Sequence, residues 1–132
     1  MRSIGAVVGA VLLVLVSGSL SAQTKGVPMQ VLQTVDTAAK GHVAITAIAD
    51  WAPQHTTGWH THPGEMVGYI VSGSVRLEQD GRAPRMLNTG DSFIIPAGVP
   101  HTHTNISAAA AKMFVTYYVV KDRAISAPVL GR

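Results

Sequence analysis

Residues 58–66 read Gly58-Trp59-His60-Thr61-His62-Pro63-Gly64-Glu65-Met66, and residues 90–105 read Gly90-Asp91-Ser92-Phe93-Ile94-Ile95-Pro96-Ala97-Gly98-Val99-Pro100-His101-Thr102-His103-Thr104-Asn105. Four of the six histidines of the 132-residue chain lie in these two stretches, as the pairs His60/His62 and His101/His103. On an extended strand, residues i and i+2 face the same way. Each pair can therefore aim two imidazoles at one interior point. Neutral imidazole is the commonest protein ligand for a transition metal. The pattern predicts a metal site between two strands that are distant in sequence and adjacent in space. Pro96, Gly98 and Pro100 make the approach to His101 tight and rigid, which holds a ligand in place before an ion arrives.

The flanking sequence reads as strand throughout. Met29–Val35, His42–Ala49, Met66–Val71, Val75–Glu78, Arg85–Leu87, Phe93–Ile95, His101–Asn105 and Met113–Val120 are short runs separated by Gly, Pro, Asn and Asp turns. Trp51-Ala52-Pro53-Gln54 breaks the second run, and Asp80-Gly81 is a hairpin signal. The four alanines ending at Ala111 read as a loop, because so short a stretch is marginal as a helix. Residues 122–132, with Pro128 and Gly131, read as a tail. Even spacing without a helical period predicts an all-β barrel or sandwich.

The first 22 residues stand apart. Met1-Arg2 brings positive charge, Ile4–Val16 is an unbroken run of apolar residues, Gly and Ala, and residues 17–22 are small and polar apart from Leu20. This is the layout of a secretory signal peptide, with cleavage expected after Ser21 or Ala22. The alternative is an uncleaved membrane anchor. Residues 23–132 then form one domain, exported to the periplasm or secreted. Ten Lys and Arg stand against seven Asp and Glu; losing Arg2 leaves nine against seven. The basic residues are scattered, with no stripe interleaved by aromatics, which argues against nucleic acid as a partner. There is no cysteine, so stability rests on the core and no disulfide contributes.

The two histidine stretches resemble the motifs of the cupins. Gly90, Pro96, Gly98, His101 and Asn105 match the second cupin motif in full, while His60, His62 and Gly73 match the first in part. Where most relatives carry a ligand Glu, this chain has Met66, and Glu65 stands one residue too early. The resemblance covers roughly residues 28–121. It implies a double-stranded β-helix, the jelly-roll barrel, and a divalent ion on His60, His62 and His101. Possible fourth ligands are Met66, whose thioether suits copper, and Glu65, if the Pro63-Gly64 loop bulges. A set of three histidines without a carboxylate is similar to that of the three-histidine iron cupins, with positions open to substrate, oxygen or water. Iron is the first expectation, with manganese, copper, nickel or zinc as alternatives.

His103 is expected to line the cavity or to support the ligands. Asn105 is expected at the end of the motif as a hydrogen bonder, and Trp59, Tyr69, Tyr117 and Phe114 are candidates for a pocket wall. His42 and His55 are expected at the surface. The function expected is a metal-dependent dioxygenase or related oxidoreductase acting on a small organic molecule. The alternative is a non-catalytic barrel that binds a small molecule or metal. The resemblance also implies a homodimer, paired through the N-terminal segment or the final strand.

Overall fold

The computed structural model describes residues 27–132; the leader read at residues 1–22 lies outside them. The described chain forms ten strands and no helix. They are β1 (Met29–Asp36), β2 (His42–Trp51), β3 (His60–Thr61), β4 (Gly64–Ser72), β5 (Ser74–Gln79), β6 (Arg85–Asn88), β7 (Ser92–Ile95), β8 (His101–Thr104), β9 (Ala111–Val120) and β10 (Ala127–Pro128). Two antiparallel five-stranded sheets result, ordered β1-β2-β9-β4-β7 and β10-β3-β8-β5-β6. From β3 onward the chain passes repeatedly from one sheet to the other, which winds the two sheets into a double-stranded β-helix.

Side-chain alternation decides which face is core. In β9, Ala111, Met113, Val115, Tyr117 and Val119 are buried while Phe114 and Tyr118 between them are exposed. β2 does the same with Val43, Ile45, Ala47, Ala49 and Trp51. The two strands pair without a break from His42 opposite Val120 to Trp51 opposite Ala111. A period of two thus lines the inner face of the first sheet with apolar side chains. Ile70, Val75, Leu87 and Ile95 complete the core from the remaining strands.

Some sequence readings shift. Trp51 does not break β2; it ends it and is buried in the core. Ala111 leaves the alanine loop to open β9, because its side chain packs inside. The tail is not free, since β10 pairs with β3. The final long strand, β9, sits between β2 and β4, so its edges are used and it is closed to exchange with a second copy. β1, by contrast, is an edge strand exposed along its whole length.

Candidate metal centre

Local turns in the two motifs build the site. Gly98 takes a left-handed backbone (φ 71) that a side chain would strain. This turn sends the Gly98 N–H to the His62 carbonyl at 3.0 Å, tying one motif to the other. It also leaves the Val99 carbonyl to accept a bond from His101 Nδ1 at 2.9 Å. The first motif repeats the device: the Gly58 carbonyl accepts from His60 Nδ1 at 2.8 Å. His60 lies directly opposite His101 in the β3–β8 pairing. His62 follows β3 and turns inward, and its Nδ1 is bonded at 2.7 Å to the Ile125 carbonyl.

The three rings meet. His60, His62 and His101 each offer a nitrogen, and these nitrogens lie within 4.8 Å of one another. Ring centroids are 4.3 Å apart for His60 and His101, 4.9 Å for His60 and His62, and 5.0 Å for His62 and His101. Every Nδ1 faces a carbonyl, so it carries the proton and leaves Nε2 as a lone pair. The Nε2 atoms of His62 and His101 are buried and have no partner in the protein. An unpartnered buried polar atom costs about 1–3 kcal/mol. A cation shared by the three lone pairs would remove that penalty, so the donor set fits a divalent ion held on imidazole nitrogen.

Burial keeps the rings neutral. Desolvation pushes His62 and His101 down to about 4, against smaller upward pulls from their backbone bonds, and it lowers His60 as well. An ion therefore meets little competition from protons at neutral pH. The same depression governs metal-free stability. Between the ordinary value of 6.5 and about 4, the unfolded chain takes up protons that the folded rings refuse. Stability is then full above about pH 6.5 and falls as pH drops towards 4, by up to about 1.4 kcal/mol per pH unit for each ring. Urea midpoints of metal-free protein from pH 7.5 to 4.5 read this directly; a flat profile would show that the rings are not held neutral.

Beside the cluster lies a cavity of about 410 Å³, lined by His60 and His62, with His101 behind them. Its apolar wall includes Trp51, Trp59, Met66, Tyr117 and Ile125; its polar groups beyond the imidazoles are the hydroxyls of Thr57, Ser126 and Tyr117 and the tryptophan indoles, Nε1 of Trp51 being buried without a partner; among the described residues no Lys, Arg, Asp or Glu lines it. Burial raises the Tyr117 phenol to about 12, so it stays protonated. His103 also lines the cavity, fully buried with both ring nitrogens unpartnered, packed 4.9 Å from Phe93 and 5.5 Å from His101 between ring centroids.

Four residues singled out in the sequence fall elsewhere: Glu65, Tyr69, Asn105 and Phe114. Glu65 is exposed on the outer face, since the strand runs regularly through Gly64 and no bulge turns it inward. Met66, its neighbour, is buried and faces the cavity. Tyr69 is 48% exposed, one alternation away from the core residues Gly68 and Ile70. Asn105 is fully buried but away from the cavity: its amide donates to the carbonyls of Trp51, Ala52 and Ala109 and its oxygen accepts from Ser107, closing the loop before β9. Phe114 points outward as well, whereas Trp59 and Tyr117 line the pocket. His42 and His55 are half-buried and outside the cluster. The carbonyl of Ile125 was invisible in sequence, because nothing local in the tail pairs it with a histidine 63 positions earlier.

The sequence model of the family described as cupin domain matches residues 47–117, more than half of the chain. The chain belongs to the cupin family. Within that family, 43 residues of this cupin are 37% identical to dimethylsulfoniopropionate lyase DddQ of Ruegeria pomeroyi, which is 33% of this chain and 21% of the lyase. The cupin thus spans about a fifth of that curated relative in the match. The crystal structure of the same lyase superposes with a TM-score of 0.60 at 22% identity, over 65% of this cupin and 43% of the lyase. A protein with a double-stranded β-helix domain from Klebsiella pneumoniae superposes at 0.62 with 17% identity, over 77% and 83% of the two chains. Recombinant oxalate oxidase in complex with glycolate gives 0.58 at 21% identity, over 82% and 57%. These structural likenesses establish the fold.

Proposed function

We propose that this cupin is an exported metal-dependent oxidoreductase of the dioxygenase type, acting on a small organic molecule. The observation that carries the reading is the set of three Nε2 lone pairs, each fixed by a bonded Nδ1–H and accompanied by no carboxylate. A divalent ion bound there, iron first and manganese, copper, nickel or zinc as alternatives, would supply Lewis acidity and, if iron, redox chemistry with dioxygen.

The chain's own residues set what reaches the site. Met66 in place of a carboxylate leaves the pocket without negative charge. Trp51, Met66, Tyr117 and Ile125 give the cavity an apolar wall beside the rings. With no ionised side chain in the wall, a substrate is oriented by the metal centre and by shape, and by the hydroxyls of Thr57 and Ser126. That favours a compact, largely apolar molecule with one or two oxygen or sulfur donors, of a size suited to about 410 Å³.

Iron-loaded protein in an oxygen electrode tests this with diketones, thiols, catechols and flavonols. Oxygen uptake matched by product, and abolished by His101→Ala, is the expected result. The second reading is a non-catalytic binder, favoured by the absence of any acidic side chain for proton transfer in the wall. Saturable binding without product would support it, and product without oxygen uptake would point to a lyase.

Export rests on the charged, apolar and small-residue layout of residues 1–22; finding the protein only in the cytoplasmic fraction would refute it, and a mature mass that still includes them would point to the anchor. A homodimer through β1 is supported by Val31, Leu32 and Val35, 46–61% exposed on an open sheet edge. A monomer in sedimentation would refute that.

A further inference from the structure

His62 differs from its two partners in where its support comes from. His60 and His101 each bond a carbonyl two residues earlier, inside their own turn, so that support forms whenever the turn forms. The carbonyl that holds His62 belongs to Ile125, beyond the last long strand. After β9 the chain turns at Asp122, in left-handed backbone (φ 59), and then contributes to the cavity wall. It is then fastened to the segment that carries two of the three imidazoles. Ala127 pairs with Thr61 and Pro128 with His60. The Val129 N–H donates to the Trp59 carbonyl at 2.9 Å. The Arg132 guanidinium stacks 4.8 Å from the centre of the Trp59 ring and forms an ion pair with Asp80. Ile125, Ser126 and Pro128 are themselves cavity wall.

We propose that this C-terminal strap, residues 123–132, is a working part of the metal centre: docked on β3, it fixes His62 as an Nε2 donor and closes the outer wall. The proposal rests on the metal reading above. Which nitrogen of an imidazole carries the proton is set by the bond the other one makes. With the strap released, Nδ1 of His62 loses its acceptor and either nitrogen can hold the proton, so part of the population presents no lone pair to the ion. Removing an outer support of a ligand histidine typically costs ten- to a hundredfold in metal affinity. The strap is held by short backbone pairing, by Ile125 packed against the core, by Arg132 over Trp59 and by an exposed ion pair, the last worth little. None of these contacts pairs long strands of the two sheets, so weakening them acts on the strap before the barrel.

The test uses the full chain and two variants of one residue. Val129→Pro removes the N–H that bonds Trp59, and Val129→Ala keeps it. Zinc affinity by competition titration is expected to fall about tenfold for V129P and to stay within twofold for V129A. In metal-free protein, nitrogen-15 spectra of the imidazoles are expected to show His62 moving from one tautomer to a mixture in V129P, with His60 and His101 unchanged. Equal zinc affinity in all three proteins, with an unchanged His62 tautomer, would overturn the proposal. Failure of the unmodified chain to bind zinc would instead overturn the metal reading, and the spectra would still decide the strap. Should V129P unfold, R132A gives the same two readouts, with a smaller shift in the same direction expected and no shift counting against the strap.

Discussion

His101→Ala is expected to weaken divalent-ion binding by more than about a hundredfold while leaving the metal-free fold largely intact. Metal sites of four ligands are worth about 10–16 kcal/mol, so one ligand carries roughly 3 kcal/mol. His101 is fully buried opposite His60, and its Nε2 has no partner in the protein. Removing that ring takes away one lone pair of the three and opens a small void. In the metal-free protein the void and the lost Val99 bond count against stability, but the loss of an unsatisfied buried nitrogen counts for it. A packing residue behaves otherwise: Leu87→Ala, also at full burial, costs about 2–5 kcal/mol with no such offset. The pair of measurements, zinc titration and urea unfolding of metal-free protein, separates the two roles. Unchanged zinc affinity in His101→Ala would remove His101 from the centre.

Gly64→Ala is expected to be the most damaging single methyl group in the chain, costing about 3 kcal/mol or more and disturbing the site as well. Gly64 opens β4 directly after His62-Pro63 and lies opposite Val119 of β9. Its backbone is in an ordinary region, so strain is not the reason. The reason is space: an added Cβ would fall onto the Tyr118 carbonyl oxygen and sit 2.7 Å from Val119 Cα. Those atoms are backbone of the neighbouring strand and cannot swing aside. Relief requires β4 and β9 to part where Pro63 accepts a bond from Val120, one residue from His62. Overpacking a tight interior ordinarily costs about 1–3 kcal/mol, and a clash with main chain belongs at or above the top of that range. Thermal unfolding of Gly64→Ala checks the loss; a melting temperature within a degree or two of the parent would contradict this packing.

The sequence carried the barrel because strand-forming residues repeat with period two and Gly and Pro mark most turns. It also carried the three imidazoles, since local turns aim His60 and His101 and the His-x-His spacing brings His62 beside His60, although its ring is held by a distant carbonyl. What failed were features set by partners far away in the chain. Glu65 and Tyr69 follow from the phase of β4, which is fixed by its register with β9 and β7 and puts Met66 and Gly68 inside. Asn105 is the hydrogen bonder its motif position suggests, but its partners, carbonyls of the 51–52 and 109 loops, are set by the fold and were not legible. The strap escaped notice because two-residue β10 has no periodicity, and its only chemical role comes from a main-chain carbonyl that every residue possesses.

X-ray absorption at the metal edge of protein loaded with one divalent ion tests the central claim most directly. Three imidazoles bound through Nε2 predict nitrogen scatterers at about 2.0–2.1 Å with the outer-shell pattern of three rings, reduced to two in His101→Ala. A spectrum without ring scattering, or one identical in the variant, would contradict the account.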